Sequence, residues 1–183
     1  MTAPTDTNPS VALSKLADGS LDGDWKLDPA KSSVRLKSAS MWGLMKVNGT
    51  FSDLSGDATV TAGAVSSARI LVGSASIDTK NAKRDKHLRS KDFFDSEKYP
   101  SIVFELSSVT PSESTVSAHG SLTVADVTKP ITIEIGPSHN ADASITLSAE
   151  IEVDRQDFGL TWNQLGMSSM KNAVSITAVF TRS

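Results

Sequence analysis

Arg84, Asp85, His87, Arg89, Asp92 and Asp95 crowd into one stretch, RDKHLRSKDFFDSEKYP, which runs from Arg84 to Pro100. At helical spacing Lys80, Arg84 and His87 share a face, as do Arg84 and Leu88, so Arg84, His87 and Arg89 can offer N–H donors to an anionic head group. Leu88, Phe93 and Phe94 would fill apolar space below them. The same charges have a structural reading as well: Arg84 can pair with Asp85 and Asp95 to fix the segment, and Asp92 and Asp95 read as turn formers. Asp78 or Thr79 is placed to N-cap the helix, and a second turn starts at Ser90.

Catalytic constellations are weak by comparison. His87, His119 and His139 are far apart, with no partner at metal-ligand spacing, and the chain has no cysteine, so neither a metal nor another cofactor is expected. No Gly-x-Ser-x-Gly elbow, phosphate-cradling loop or dinucleotide fingerprint is present. A hydrolase built on a serine with His87 and Asp85 rests on residue type alone. Enzymatic activity is therefore not expected.

Two further clusters carry large soft side chains. Met41-Trp42-Gly43-Leu44-Met45 precedes Val47, Gly49 and Phe51, and reads either as the entrance of a tunnel or as an apolar corner plugging a barrel end. Phe158-Gly159-Leu160-Thr161-Trp162 places two aromatics near a bend, followed by Leu165, Met167 and Met170. Trp162 serves as a pocket wall or as ordinary core.

The elements that must hold these residues are strands. From Trp25 onward the dominant period is two: Val116, Ala118, Gly120, Leu122 and Val124 alternate with Ser117, His119, Ser121 and Thr123, and Ile145 to Val153 and Val174 to Phe180 repeat the pattern. Turn residues at 61–63, 111–113 and 136–140 separate the runs as antiparallel hairpins. Ile70 to Asp78 and Ser101 to Leu106 read as strands flanking the charged stretch, which is therefore an insert on a β-structure. Eight or nine strands with one apolar face close as a sandwich or as a barrel, and periodicity does not choose.

The chain of 183 residues is long enough for one domain with a sizeable core. Its net charge of -3 gives no broad basic footprint, so no nucleic-acid partner is expected. Residues 1–23 read as a flexible amino-terminal segment with a short helix at Val11–Asp18, ended by Gly19. Met1 to Ser14 contain no Lys or Arg, and their longest apolar run is Val11-Ala12-Leu13, from which a cytoplasmic location without stable membrane insertion is expected, or a periplasmic or secreted one if a leader has been removed.

Several motifs converge on one family. Trp25 to Val34 (WKLDPAKSSV), the insert itself, Leu122 to Ile133 (LTVADVTKPITI) and Asp154 to Trp162 (DRQDFGLTW) resemble the opening strand, signature insert, late hairpin and penultimate motif of the YceI-like bacterial lipid-binding proteins, over roughly residues 24–183. The resemblance implies an all-β fold: an extended, lipocalin-like, eight-stranded antiparallel β-barrel with a short helical insert around residues 79–95. Strands of about nine residues, at about 3.3 Å per residue and tilted in a barrel, would enclose an interior on the order of 20 to 25 Å long. It also implies a polyisoprenoid or other long amphiphilic ligand, and a homodimer. Two positions depart from the family pattern: Lys31 stands where His often follows Asp-Pro-Ala, and Ala125-Asp126 replaces His-Gly before Val127-Thr128-Lys129-Pro130.

The function expected is non-enzymatic binding, transport or sequestration of a long apolar or amphiphilic ligand. Trp42, Phe51, Leu88, Phe94, Phe104 and Trp162 would contact its tail, Arg84 and His87 its head, and Ala118 would face the tunnel. The alternatives are a stress-related interaction module with a packed barrel and, more weakly, an enzyme acting on a lipid-like substrate.

Overall fold

The computed structural model describes residues 8–41, 43–163, 166 and 168–183. Helix α1 (Pro9–Ala17) leads into strands β1 (Gly23–Leu27), β2 (Ser33–Ser40), β3 (Met45–Phe51), β4 (Leu54–Thr61), β5 (Ala64–Gly73) and β6 (Ile77–Asp78). Helix α2 (Ala82–Leu88) interrupts the series, and β7 (Ser101–Pro111), β8 (Val116–Val124), β9 (Val127–His139), β10 (Ile145–Asp154) and β11 (Lys171–Arg182) complete it. Neither described helix is long and apolar enough to cross a membrane.

All the strand pairings are antiparallel, and the sheet closes on itself through β11. One half of β11 pairs with β1, Leu27 opposite Phe180, and the other half pairs with β2, Lys37 opposite Ala173. β1 and β2 thus act as a single barrel strand broken at 28–32. There the Asp28 carboxylate accepts from the Ala30 amide at 3.0 Å, and its carbonyl accepts from Ser32 Oγ at 2.7 Å. β3 and β4 are broken likewise at Ser52-Asp53, as are β5 and β6 at 74–76, which gives the closed eight-stranded barrel that the family resemblance implies.

Alternation sets what faces inward, because successive side chains point to opposite faces of a strand. Val116, Ala118 and Val124 of β8 are buried on the inner face, while His119 Nδ1 meets Thr132 Oγ1 at 3.0 Å on the wet one. The turn expected at 136–140 is displaced. β9 continues through Gly136 and Pro137, with Pro137 opposite Leu147, and the chain reverses only at 140–144. The β9–β10 ladder is short and runs only from His139 opposite Ile145 to Gly136 opposite Ser148.

The two barrel ends differ. At one, α1 begins at Pro9, two residues before the sequence expectation, with Asn8 capping it by accepting from the Ser10 amide at 3.1 Å. Its Ala12 is 3% exposed and Leu16 packs on the core beside Leu21 and Trp25. At the other end lie α2 with its following turns, the β2–β3 hairpin, the β8–β9 turn and residues 155–163.

Candidate functional site

Side chains do not fill the barrel. A cavity of about 340 Å³ occupies its interior toward the α2 end, walled by Val72 of β5, Ile102 of β7, Leu122 of β8, Ile133 of β9, Ile151 of β10 and Ile176 of β11, with further aliphatic neighbours. These are the apolar positions of the period-two pattern. Toward the mouth the same inward parity turns polar. Ser38 and Ser40 extend Val34 and Leu36 of β2; Asn172 precedes Val174 of β11; and Arg155 follows Ala149, Ile151 and Val153 of β10, all lining the cavity.

Helix α2 forms part of that mouth and is tied to β6 and its exit. Its N-cap is Asn81, whose side chain accepts from the Arg84 amide at 3.0 Å, in place of the expected Asp78 or Thr79. Thr79 instead joins two charged residues. Its amide and hydroxyl donate to buried Asp85 Oδ1 at 2.9 and 2.6 Å, while Arg84 Nε and Nη2 donate to its hydroxyl and carbonyl oxygens at 2.7 and 2.9 Å. Arg84 is therefore fixed through Thr79, and the expected pairing with Asp85 and Asp95 gives way to it. Both alternatives drawn from the sequence meet in this residue, since Arg84 also lines the cavity. Arg89 Nη2 donates to the Ile77 carbonyl at 2.8 Å, outside the cavity wall.

His87 lines the mouth beside Arg84. With its proton on Nε2 it donates to Asp92 Oδ2 at 2.8 Å, and its ring stands between Phe93 and Trp162, with centroids 5.2 and 4.3 Å away. Asp95 adopts a left-handed backbone at φ 45°, and its carbonyl accepts from the Lys98 and Tyr99 amides, the turn role read from the sequence.

Of the residues expected at the site, Phe51, Arg84, His87, Leu88, Phe94, Phe104 and Trp162 all line this cavity. Phe51 and Phe94 meet edge to face at 6.0 Å, joining the insert to the barrel core. Trp42 lies outside the described residues, as do Leu165 and Met167. Ala118 is 2% exposed and faces inward as expected, where it lines a second, smaller cavity at the α1 end, below the level of Phe104 on β8. Met41, Leu44 and Met45 are exposed at the β2–β3 hairpin and form no plug.

Arg155 is the functional candidate that sequence reasoning missed. It is 7% exposed, and it donates to three carbonyls: Nε to Ser169 at 3.0 Å, Nη1 to Leu160 at 3.1 Å and Trp162 at 2.7 Å. Burial pushes its pKa below the usual arginine value, with Asp154 acting in the opposite sense. It thus ties Leu160 and Trp162 to Ser169 and places a cation, with Arg84, at the mouth of the apolar bore.

A closed antiparallel barrel with an apolar interior, polar groups gathered at one mouth and a helical insert over that mouth defines the class. Residues 25–181 match the model of the YceI-like domain, and the chain belongs to that family. The protein YceI of Escherichia coli O157:H7 is 40% identical over 88 residues, 47% of this chain and 46% of the relative. A UPF0312 protein of Yersinia pestis is 33% identical over 129 residues, 67% of this chain and 66% of that protein. The alignment with the Escherichia coli protein spans about half the length of either chain. Among solved structures, Burkholderia cenocepacia BcnA superposes with a TM-score of 0.75 at 21% identity, over 84% of this chain and 98% of its own. A polyisoprenoid binding domain from Saccharophagus degradans gives 0.74 at 14% identity, over 87% and 98%. These two likenesses show the fold.

Proposed function

We propose that this protein binds a long apolar or amphiphilic molecule, of polyisoprenoid or lipid-like class, inside the barrel and carries or sequesters it without chemical change. The observation that carries the reading is the cavity itself: about 340 Å³ of unfilled space behind aliphatic walls, with charged and hydroxyl groups confined to its mouth. Each methylene moved from water into such a wall contributes about 0.8 kcal/mol, so a chain of some ten carbons offsets a large association cost by burial alone. Arg84, His87 and Arg155 give the head an electropositive rim, suited to a carboxylate, a phosphate or a carbonyl acceptor. The relative from Saccharophagus degradans, described as polyisoprenoid binding, supports the class of ligand.

Native mass spectrometry of the purified protein, followed by organic extraction, tests this. A mass increment that disappears on extraction and yields a long-chain amphiphile is the expected result. A protein without such an increment that also takes up no added polyprenol or fatty acid would overturn the reading.

A further inference from the structure

The interior has two compartments, and the second one is closed by a part of the chain that lies outside the family-matched residues 25–181. Ile70, Phe104, Ile135 and Leu147 line both cavities and so form a waist between them. Phe104 is held there by Gly120: a Cβ on Gly120 would meet the Phe104 ring at 2.9 and 3.0 Å and collide with the Glu105 carbonyl. Only a glycine lets the ring lie against β8. Beyond the waist is a cavity of about 150 Å³, lined by apolar residues alone, with Ala118, Val116 and Pro137 on the barrel side and Ala12, Leu13 and Leu16 of α1 across its end.

Helix α1 is fastened as a wall. Asp22, in the link that follows it, accepts from the Ala62 and Gly63 amides at 2.9 Å each, and Gly63 sits where a Cβ would lie 3.0 Å from the Leu16 and Ala17 carbonyls. Arg182, the last residue of β11, donates through Nη2 to the Ser20 carbonyl at 2.8 Å and through Nη1 to that of Asp22, while its guanidinium lies 4.9 Å over the Trp25 ring. Trp25 Nε1 in turn donates to the Leu21 carbonyl at 2.9 Å. These contacts tie the β4–β5 turn, β1 and the end of β11 to the link, and they leave the apolar face of α1 turned into the bore.

We infer that the chamber beyond Phe104 is a subsite for the tail end of an isoprenoid or other unbranched-headed hydrocarbon chain, and that α1 is the stop that sets the longest chain the barrel takes. The inference rests on the proposed function of the larger cavity and adds a measuring device to it. A short chain is housed on the mouth side of the waist. A longer one passes the Phe104 ring, fills the end chamber and stops at Leu13 and Leu16. No polar group in that chamber asks for a partner, so the subsite selects by length and not by head chemistry.

The test compares farnesol with geranylgeraniol, one isoprene unit longer, on the full chain. Ala118→Leu and Ala68→Leu each fill the end chamber from a different strand, and the expected result is a loss of geranylgeraniol affinity of about tenfold, near 1.4 kcal/mol, with farnesol affinity held within about twofold. In the unsubstituted protein, a polyprenol carrying a photoreactive group at its tail end should cross-link to Leu13, Leu16 or Val116. This readout does not depend on the variants folding. Cross-links confined to the mouth, or folded variants that weaken both alcohols equally or neither, would overturn the inference while the carrier reading stands. Failure of the unsubstituted protein to take up either alcohol would overturn both.

Discussion

The imidazole of His87 stands edge to face on the indole of Trp162, with centroids 4.3 Å apart and ring planes at 88°. The contact joins α2 to the 155–163 segment, two parts of the chain far apart in sequence, directly over the cavity mouth. Asp92 Oδ2 meets His87 Nε2 at 2.8 Å, so the imidazole is oriented by two neighbours. His87→Ala should therefore lower the affinity for a carboxylate-headed chain such as oleate by about fivefold, near 1 kcal/mol. A matching alkane without a head should bind as before. Titration of both probes decides the matter, and equal losses would mean that His87 only packs the lid.

Arg155 should matter more for the mouth's structure than any other charged residue. Replacing it with Leu leaves the carbonyls of Leu160, Trp162 and Ser169 without their donor, the first in a buried place and the other two part-buried, and a buried unsatisfied group costs about 1 to 3 kcal/mol. Urea unfolding should show a loss of about 3 kcal/mol. Arg155→Lys should recover little, because an ammonium cannot span acceptors that a planar fork reaches together. Full recovery by Lys would show that charge, and not the fork, is what the segment needs.

How much of this was legible follows from parity. The run Val116, Ala118, Gly120, Leu122, Val124 identified the inner face of β8 correctly, and the same counting extended one step past Val153 and one step before Val174 lands on Arg155 and Asn172. Both were passed over because a polar residue ends an apolar pattern, although parity still placed it in the bore. The turn at 136–140 was misplaced because Gly-Pro is strong turn punctuation, whereas β9 here accommodates Pro137 within a ladder only four residues long. The parity of Ala118 gives its face and leaves its chamber open. Periodicity gives a side chain's direction but not its depth, and depth depends on the Phe104 waist and on α1. The two departures from the family pattern acquire local roles: Ala125 takes a left-handed turn at φ 53°, and Lys31 pairs with Asp142 at 3.0 Å.

Asp142 marks the pH-sensitive point of the β9–β10 turn. The Ser144 hydroxyl, the Lys31 ammonium and the Ser144 amide hold its carboxyl well below the usual carboxylate range. A carboxyl whose pKa is depressed by folding contributes its stability above the unfolded value, and loses that contribution as pH falls through the folded one. From roughly pH 4 downward the unsubstituted protein should lose stability more steeply than Asp142→Asn, and the two curves should run parallel near neutrality. Thermal midpoints measured across that range give the comparison. Parallel curves into the acid region would remove Asp142 from the account of acid sensitivity.

The waist offers a test through coupling between two residues on neighbouring strands. Gly120→Ala drives a Cβ against the Phe104 ring, at 2.9 Å, and against the Glu105 carbonyl of β7. Overpacking of this kind costs about 1 to 3 kcal/mol. In a Phe104→Leu background the ring is gone while the carbonyl remains, so part of the cost should vanish and part persist. The four proteins of the cycle, compared by urea unfolding, should give a coupling of about 1 kcal/mol, whereas residues out of contact add within a few tenths. Strict additivity would mean that the ring is not braced on β8, and Phe104 would then be free to swing out of the bore. Partial coupling would mean that the division of the interior into two chambers is built into β7 and β8, and persists whether or not a chain lies across it.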